Sequence, residues 1–191
     1  MVVIAVIAPE HSSCISRIFK ALFKEYHKKF AFIRSTERLQ EEIKELSRIG
    51  VEYVVFPADK ALPRGILFDI VIYDNRTKQC RLESIEKYAA PGMILIANED
   101  DDSTLKCGKA TVIGYGLGSK AKVTASSIRP GEALDFAYCL QSALMTFSKR
   151  ELPIEEISVR VDVPNVNVYH ALPVVTCGLL CDIITENVVK I

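Results

Sequence analysis

Residues Pro9–Cys14 of this 191-residue chain (PEHSSC) stand where a phosphate-binding loop would do its chemistry. They join Met1–Ala8 (MVVIAVIA), which reads as a buried strand, to Ile15–Tyr26, which reads as an amphipathic helix. A helix entered this way turns unpaired N–H groups and the positive end of its dipole toward any anion. A phosphate-binding loop adds glycines whose amides cradle the phosphates, a lysine that reaches them and a hydroxyl that holds Mg²⁺. Here Ser13 supplies a hydroxyl, but the segment has no lysine and no glycine. His11, Ser12 and Ser13 are therefore the candidates for a vestigial anion site. Glu10 opposes it by charge, and Pro9 by removing a backbone donor. The competing use of Ser12 or Ser13, as N-cap of its own helix, is the reading preferred.

Other chemistry-bearing residues are scattered. Asn98-Glu99-Asp100-Asp101-Asp102 offers four carboxylates in a row, but without the glycine and distant glutamate of a calcium loop it reads as a solvated turn. Asn98 is retained as a cleft candidate. So is His170, read either as part of a polar cluster with Asn165 and Asn167 or as lying between the main sheet and the later strands. His27 sits among Lys24, Lys28 and Lys29 at a helix end, where positive charge suits the dipole. The six cysteines are Cys14, Cys80, Cys107, Cys139, Cys177 and Cys181, with no CxxC pair. Cys177 and Cys181 share a helix face, as a metal or redox pair would, but small buried packing residues are the preferred reading. No catalytic residue and no metal site is assigned.

Composition narrows the class. The chain is 49% hydrophobic and 25% charged, an ordinary globular mix. Its 24 acidic residues balance 24 basic ones, which argues against a general binder of nucleic acid or anionic membrane. No apolar run is long enough to cross a bilayer, and no basic segment precedes the first strand as in a signal peptide. The expected location is the cytoplasm.

The elements that must position these residues alternate. The first helix carries Ile15, Ile18, Phe19, Leu22, Phe23 and Tyr26 on one stripe. A strand over Phe30–Ile33 leads to a second helix, capped by Ser35 or Thr36, with Leu39, Ile43 and Leu46 inward and Gly50 at its end. Strands over Val51–Phe56, Ile66–Tyr73 and Met93–Ala97 follow, with a turn-rich connection over Pro57–Gly65 and a short helix over Glu83–Ala89. Apolar strands separated by helices predict a parallel sheet covered on both faces. Beyond a strand at Ala110–Gly114, the segments Lys122–Ile128, Ala133–Gln141, Ala143–Phe147 and Ile154–Val163 read as a meander or small antiparallel sheet. Val168–Cys181 reads as a closing helix. The expected layout is one domain over 1–191: an α/β core over about 1–115, accessory strands over about 116–165 and the helix over about 166–185.

Four segments in order resemble one family. Ile94–Asp101 (ILIANEDD) resembles the strand and Asn-x-Asp-Asp of the Mur ligases, which join amino acids to peptidoglycan precursors. Val112–Leu117 (VIGYGL) with Ala121–Ile128 (AKVTASSI) is similar to their TYG-L … A-x-V-x-A-x-x-I segment. Asn165–Ala171 (NVNVYHA) with Leu172 is similar to the HNVYNALAA that opens a late helix of their ATP-binding central domain. Ile70–Asn75 (IVIYDN) sits where the family has a strand ending in Thr-Asn. The resemblance implies a P-loop NTPase-like, mostly parallel α/β sheet flanked by helices, with a small antiparallel accessory sheet.

The departures bear on function. The family's loop reads Gly-Thr-x-Gly-Lys-Thr-Thr where this chain has Ala8–Cys14, so Ser12 takes the place of the essential lysine. Arg76–Cys80 replaces a stretch carrying an Asp-His pair near the metal, and His170 stands at the family's Asn. The resemblance covers the central domain alone, without the flanking UDP-binding and C-terminal ligase domains. Phosphoryl transfer rests on positioning and charge neutralisation, so these losses imply a pseudoenzyme that needs no cofactor, with ATP and Mg²⁺ disfavoured. The expected role is a binding or assembly module that pairs with another protein or with itself, linked to cell-wall precursor metabolism. The alternative is a nucleotide- or precursor-binding component of an ATP-dependent amide ligase, completed by a partner chain.

Overall fold

Val2–Ile7 (β1) holds the centre because it is apolar toward both faces of a sheet. Ile4, Val6 and Ala8 enter one core, and Val3, Ala5 and Ile7 the other. The computed structural model describes residues 1–8, 11–34, 38–58, 62–63, 65–74, 85, 91–100 and 107–191. In chain order the elements are β1, α1 (Ser12–Glu25), β2 (Phe30–Phe32), α2 (Leu39–Arg48), β3 (Tyr53–Ala58), β4 (Ile70–Tyr73), β5 (Ile94–Asn98) and β6 (Thr111–Tyr115). They continue with β7 (Val123–Arg129), β8 (Leu134–Leu140), β9 (Leu144–Met145), β10 (Glu151–Leu152), β11 (Glu156–Val161), α3 (Val168–Leu180) and β12 (Val188–Lys190). The proposed caps Ser35 and Thr36, Pro9 and Glu10, Arg76–Cys80 and Asp101–Asp102 lie outside the described residues. So does the helix expected over Glu83–Ala89, except for Ile85, which is helical and buried.

The architecture is α/β: a mostly parallel sheet of 10 strands, ordered β12-β11-β8-β7-β6-β5-β4-β1-β3-β2, beside a two-stranded antiparallel sheet of β9 and β10. Strands β2 to β7 and β1 pair in parallel, whereas β8 is antiparallel to both β7 and β11. Of the four segments expected as a meander, three (β7, β8 and β11) thus extend the main sheet, and the fourth, Ala143–Phe147, supplies β9 of the separate β9–β10 hairpin. The short edge strand β12, parallel to β11, was not anticipated.

Helices α1 and α3 cover one face of the sheet and α2 the other. The stripe predicted for α1 is buried, with Tyr26 packed at its margin. All three described helices close the same way. Gly50 (φ +81°), His27 (φ 50°) and Asp182 (φ 53°) take left-handed backbone just past the last turn. Val51 N–H then reaches Leu46 O, Lys28 reaches Phe23 O and Ile183 reaches Gly178 O. His27 is thus a helix terminator by its backbone.

One polar chain crosses the core between α3 and β8. Thr176 Oγ1 donates to Leu172 O at 2.8 Å, so its lone pair accepts the Tyr138 hydroxyl at 3.0 Å. Both residues are buried, and burial pushes the Tyr138 phenol well above its ordinary range. The two ends are therefore unequal. Tyr138→Phe removes one hydrogen bond, about 1 kcal/mol, whereas Thr176→Val orphans a buried hydroxyl, about 1–3 kcal/mol. Denaturant midpoints should rank wild type, then Tyr138→Phe, then Thr176→Val, and the double variant should regain part of the Thr176→Val loss.

Candidate functional site

In the strand order, β1 lies between β3 and β4, so the connections leaving the sheet diverge there. Open α/β sheets bind ligands in the crevice at the carboxyl ends of the strands beside such a point. His11 follows β1, Asp74 follows β4, Asn98–Asp100 ends β5 and Gly116–Gly118 follows β6. The N-terminus of α3 joins them.

The start of α1 corrects one expectation. Ser12 and Ser13 are not caps: the N-cap is His11 (φ −122°, ψ −3°), whose side chain makes no capping bond. The helix begins earlier because the Ala8 carbonyl accepts the amides of both His11 (2.9 Å) and Ser12 (2.7 Å), while His11 O already accepts Ile15 N–H. Two amides that a phosphate cradle would leave open are closed into a turn.

The His11 side chain reaches instead to the other helix. His11 Nδ1 and His170 Nε2 lie 3.0 Å apart, with ring centroids at 4.8 Å. At the start of α3, Asn167 Oδ1 accepts His170 N–H (3.2 Å), and His170 Nδ1 accepts Asn167 N–H (3.1 Å), a reciprocal capping box. That second bond fixes the tautomer. Its Nδ1 lone pair is engaged, so His170 carries its proton on Nε2 and donates to His11 Nδ1. His11 then carries its own proton on Nε2. Arg17 donates to Pro164 O, and the Cys14 thiol lies 3.7 Å from Asn165 O, tying α1 further to the segment entering α3. His170 thus lies between the two helix starts, not between the main sheet and the later strands. Asn167 is its partner in the expected polar cluster, whereas Asn165 meets Cys14.

The carboxyl ends of β4 to β6 correct the solvated-turn reading of Asn98–Asp100. Asn98 is buried; its Oδ1 accepts Asp100 N–H at 3.1 Å, and its Nδ2 lies 3.4 Å from Oδ1 of buried Asp74. The Asp100 carboxylate accepts Leu117 N–H, Gly118 N–H and the Tyr169 hydroxyl, each at 2.8 Å. It fills the amide nest of the Gly116–Gly118 loop as an anionic ligand would. Glycines make room: a Cβ on Gly114 would lie 1.8 Å from the Glu99 carboxyl, and one on Gly116 2.4 Å from that of Asp100. Burial raises the Glu99 pKa, and neighbouring Asp100 adds to the shift against the opposing pull of Lys122.

The structure therefore brings His11 to His170 and Asn98 to Asp74 and Asp100. It leaves Ser12 half-buried and Ser13 exposed in the first turn of α1. Asp74, Glu99, Asp100 and Tyr169 were missed. The available signal was the alternation of glycines in Gly114-Tyr115-Gly116, which announces something packed close against one face of the strand. Among the described residues no three His, Cys, Asp or Glu side chains gather as metal ligands, and no helix is long and apolar enough to cross a membrane. The five described cysteines are free thiols, with Cys107 and Cys177 buried.

No family model and no curated protein matches this chain. Among solved structures, 28 chains match. One is a UDP-N-acetylmuramoyl-L-alanyl-D-glutamate–2,6-diaminopimelate ligase, a Mur ligase, with a TM-score of 0.64 and 11% sequence identity. The alignment covers 95% of this chain and 43% of that one, so this chain spans less than half the ligase's length. At this identity the likeness is one of fold: the chain has a Mur-ligase-like α/β fold.

Two measurements test the site as described. Long-range ¹H–¹⁵N spectra should show both His11 and His170 as Nε2–H tautomers; a protonated Nδ1 on His170 would be incompatible with the capping box. The second concerns Glu99, whose folded-state pKa lies above its unfolded value. Its favourable contribution is present at acid pH and lost as pH rises through the folded pKa. Glu99→Gln should therefore raise the melting temperature at pH 7, with the gain shrinking toward pH 4.

Proposed function

We propose that this chain is a non-catalytic Mur-ligase-like protein, a pseudoenzyme acting as a binding or assembly module connected with cell-wall precursor metabolism. Residues 1–191 correspond in this reading to the ligase central domain, with a core over about 1–115, further strands over about 116–165 and α3 as the closing helix. It works in the cytoplasm, without ATP or Mg²⁺, and its partner is another protein or a second copy of itself.

The observation that carries the reading is the closure of the α1 N-terminus on the protein's own atoms. Ala8 O holds two of its first amides, and a neutral His11–His170 pair occupies the adjoining helix starts. No lysine is present between Pro9 and Cys14 to neutralise a phosphate. Displacing internal hydrogen bonds to admit a triphosphate would leave buried groups unpaired, each at a cost of about 1–3 kcal/mol. A second reading, a nucleotide- or precursor-binding component completed by a partner chain, draws on the buried polar pair Asp74 and Asn98 at the crevice.

Thermal unfolding with millimolar ATP·Mg²⁺, ADP and a UDP-linked muramoyl precursor separates the two. A ligand present at about 100 times its Kd would add about 2.7 kcal/mol of stability. The proposal expects no shift with either nucleotide, together with a concentration-dependent oligomer or a co-purified partner in sedimentation velocity. A nucleotide-dependent shift abolished by Ser13→Ala would overturn it in favour of the second reading.

A further inference from the structure

The sheet has a second polar surface, remote in sequence from the α1 junction. On β8, Phe136 and Tyr138 enter the core beneath α3, so Asp135, Ala137 and Cys139 face the opposite way. No described helix covers that outer face of β7, β8, β11 and β12.

The strand registers line four charged residues across it. Arg129 on β7 is opposite Asp135 on β8, Asp135 opposite Arg160 on β11, and Arg160 opposite Lys190 on β12. With strands about 4.8 Å apart, the row spans about 14 Å. All four residues line one cleft of about 360 Å³, together with Ser127, Ser158 and Glu156. Like charges directly opposite one another weaken a sheet, yet Arg160 and Lys190 are so placed. Carboxylates answer only part of the charge. Arg160 pairs with Asp162 (3.1 Å) and, more distantly, with Asp135 (3.7 Å). Arg129 and Lys190 have no carboxylate partner among the described residues, and both are exposed. Glu156 lies at the far end of the cleft, opposite Cys139.

A backbone irregularity builds the row. Ser126 is opposite Ala137 and Arg129 opposite Asp135, so β7 advances three residues while β8 advances two. Ser127 takes up the extra residue in left-handed backbone (φ 52°). Without this bulge Ile128 would stand opposite Asp135; with it Arg129 does. Bulges re-aim side chains in this way and recur at functional surfaces.

We propose that this face binds a phosphate-bearing polyanion, laid across Arg129, Arg160 and Lys190 with the Ser127 and Ser158 hydroxyls as further donors. Guanidinium groups recognise phosphate and carboxylate alike. A donor set drawn from three strands is filled better by the many oxygens of linked phosphates than by the two of a carboxylate.

Titration calorimetry with tripolyphosphate at roughly 50 mM salt, where phosphate contacts are least screened, tests the proposal, with tricarballylate as the polycarboxylate control. Saturable binding is expected, at least about ten-fold weaker in Arg129→Gln and in Lys190→Gln. Both side chains are exposed, so both variants should fold. Lys190→Glu should abolish binding and raise the melting temperature of the unliganded protein, because a carboxylate then faces Arg160. Absence of saturable binding would overturn the proposal, as would binding unchanged by both neutral variants or lost instead in Ser13→Ala. Tricarballylate binding as tightly as tripolyphosphate would overturn the assignment to phosphate. A lower melting temperature for Lys190→Glu would overturn the view that the row carries uncompensated charge.

Discussion

The close parallel contact of α1 with α3 over one face of the sheet is the constraint on which the rest of the structure depends. Gly178 permits it: a Cβ there would lie 2.7 Å from Ile184 Cδ1 and 3.3 Å from Leu22 Cδ2. Because the helices run side by side in the same direction, the first turn of one meets the first turn of the other. At the opposite ends Leu22 packs toward Gly178, and Tyr26 toward Glu186, whose charge and hydrogen bond add to burial in raising the Tyr26 pKa. The His11–His170 bond follows from this alignment.

Two adjacent helix N-termini also set the electrostatics of the crevice. Each carries roughly half a positive charge, so a cation between them is doubly disfavoured. The groups found there agree with that field. Both imidazoles are needed neutral by the hydrogen bonds they make, and the Asp100 carboxylate reaches the start of α3 through the Tyr169 hydroxyl. In a phosphate-binding loop a lysine is tolerated at such a position because the bound phosphates outweigh it. Here the compensation is internal, and a neutral pair serves where a lysine would be repelled.

How much of this was legible in the sequence depended on range. The α1 stripe, the apolar strands and the Gly50 terminus are local patterns, and each appears close to where its periodicity places it. The start of α1 was missed by one turn because the Ala8 carbonyl, not a serine hydroxyl, captures the first amides. The His11–His170 bond joins residues 159 apart in the chain, and no local pattern selects that pair. The three residues of β12 are too few to show a period. The β7 bulge was hidden because its left-handed residue is Ser127, not the glycine or asparagine that usually marks such a position.

The crevice and the outer face of β7, β8, β11 and β12 solve opposite problems. At the crevice several donors meet acceptors of the chain itself: amides on Ala8 O, amides and a hydroxyl on Asp100, imidazole on imidazole. Hydrogen bonds made in this way hold the seam together from within. The outer face does the reverse, holding Arg160 beside Lys190 and using a backbone bulge to bring Arg129 into line. The like-charged pair Arg160 and Lys190 is a cost to folding that nothing else in the sheet requires, since a small neutral residue would fill such an exposed position, as Ser158 does one row away. Cationic charge without a carboxylate partner among the described residues therefore stands on the open face of the sheet, at Arg129 and Lys190, away from the carboxyl ends of β4 to β6.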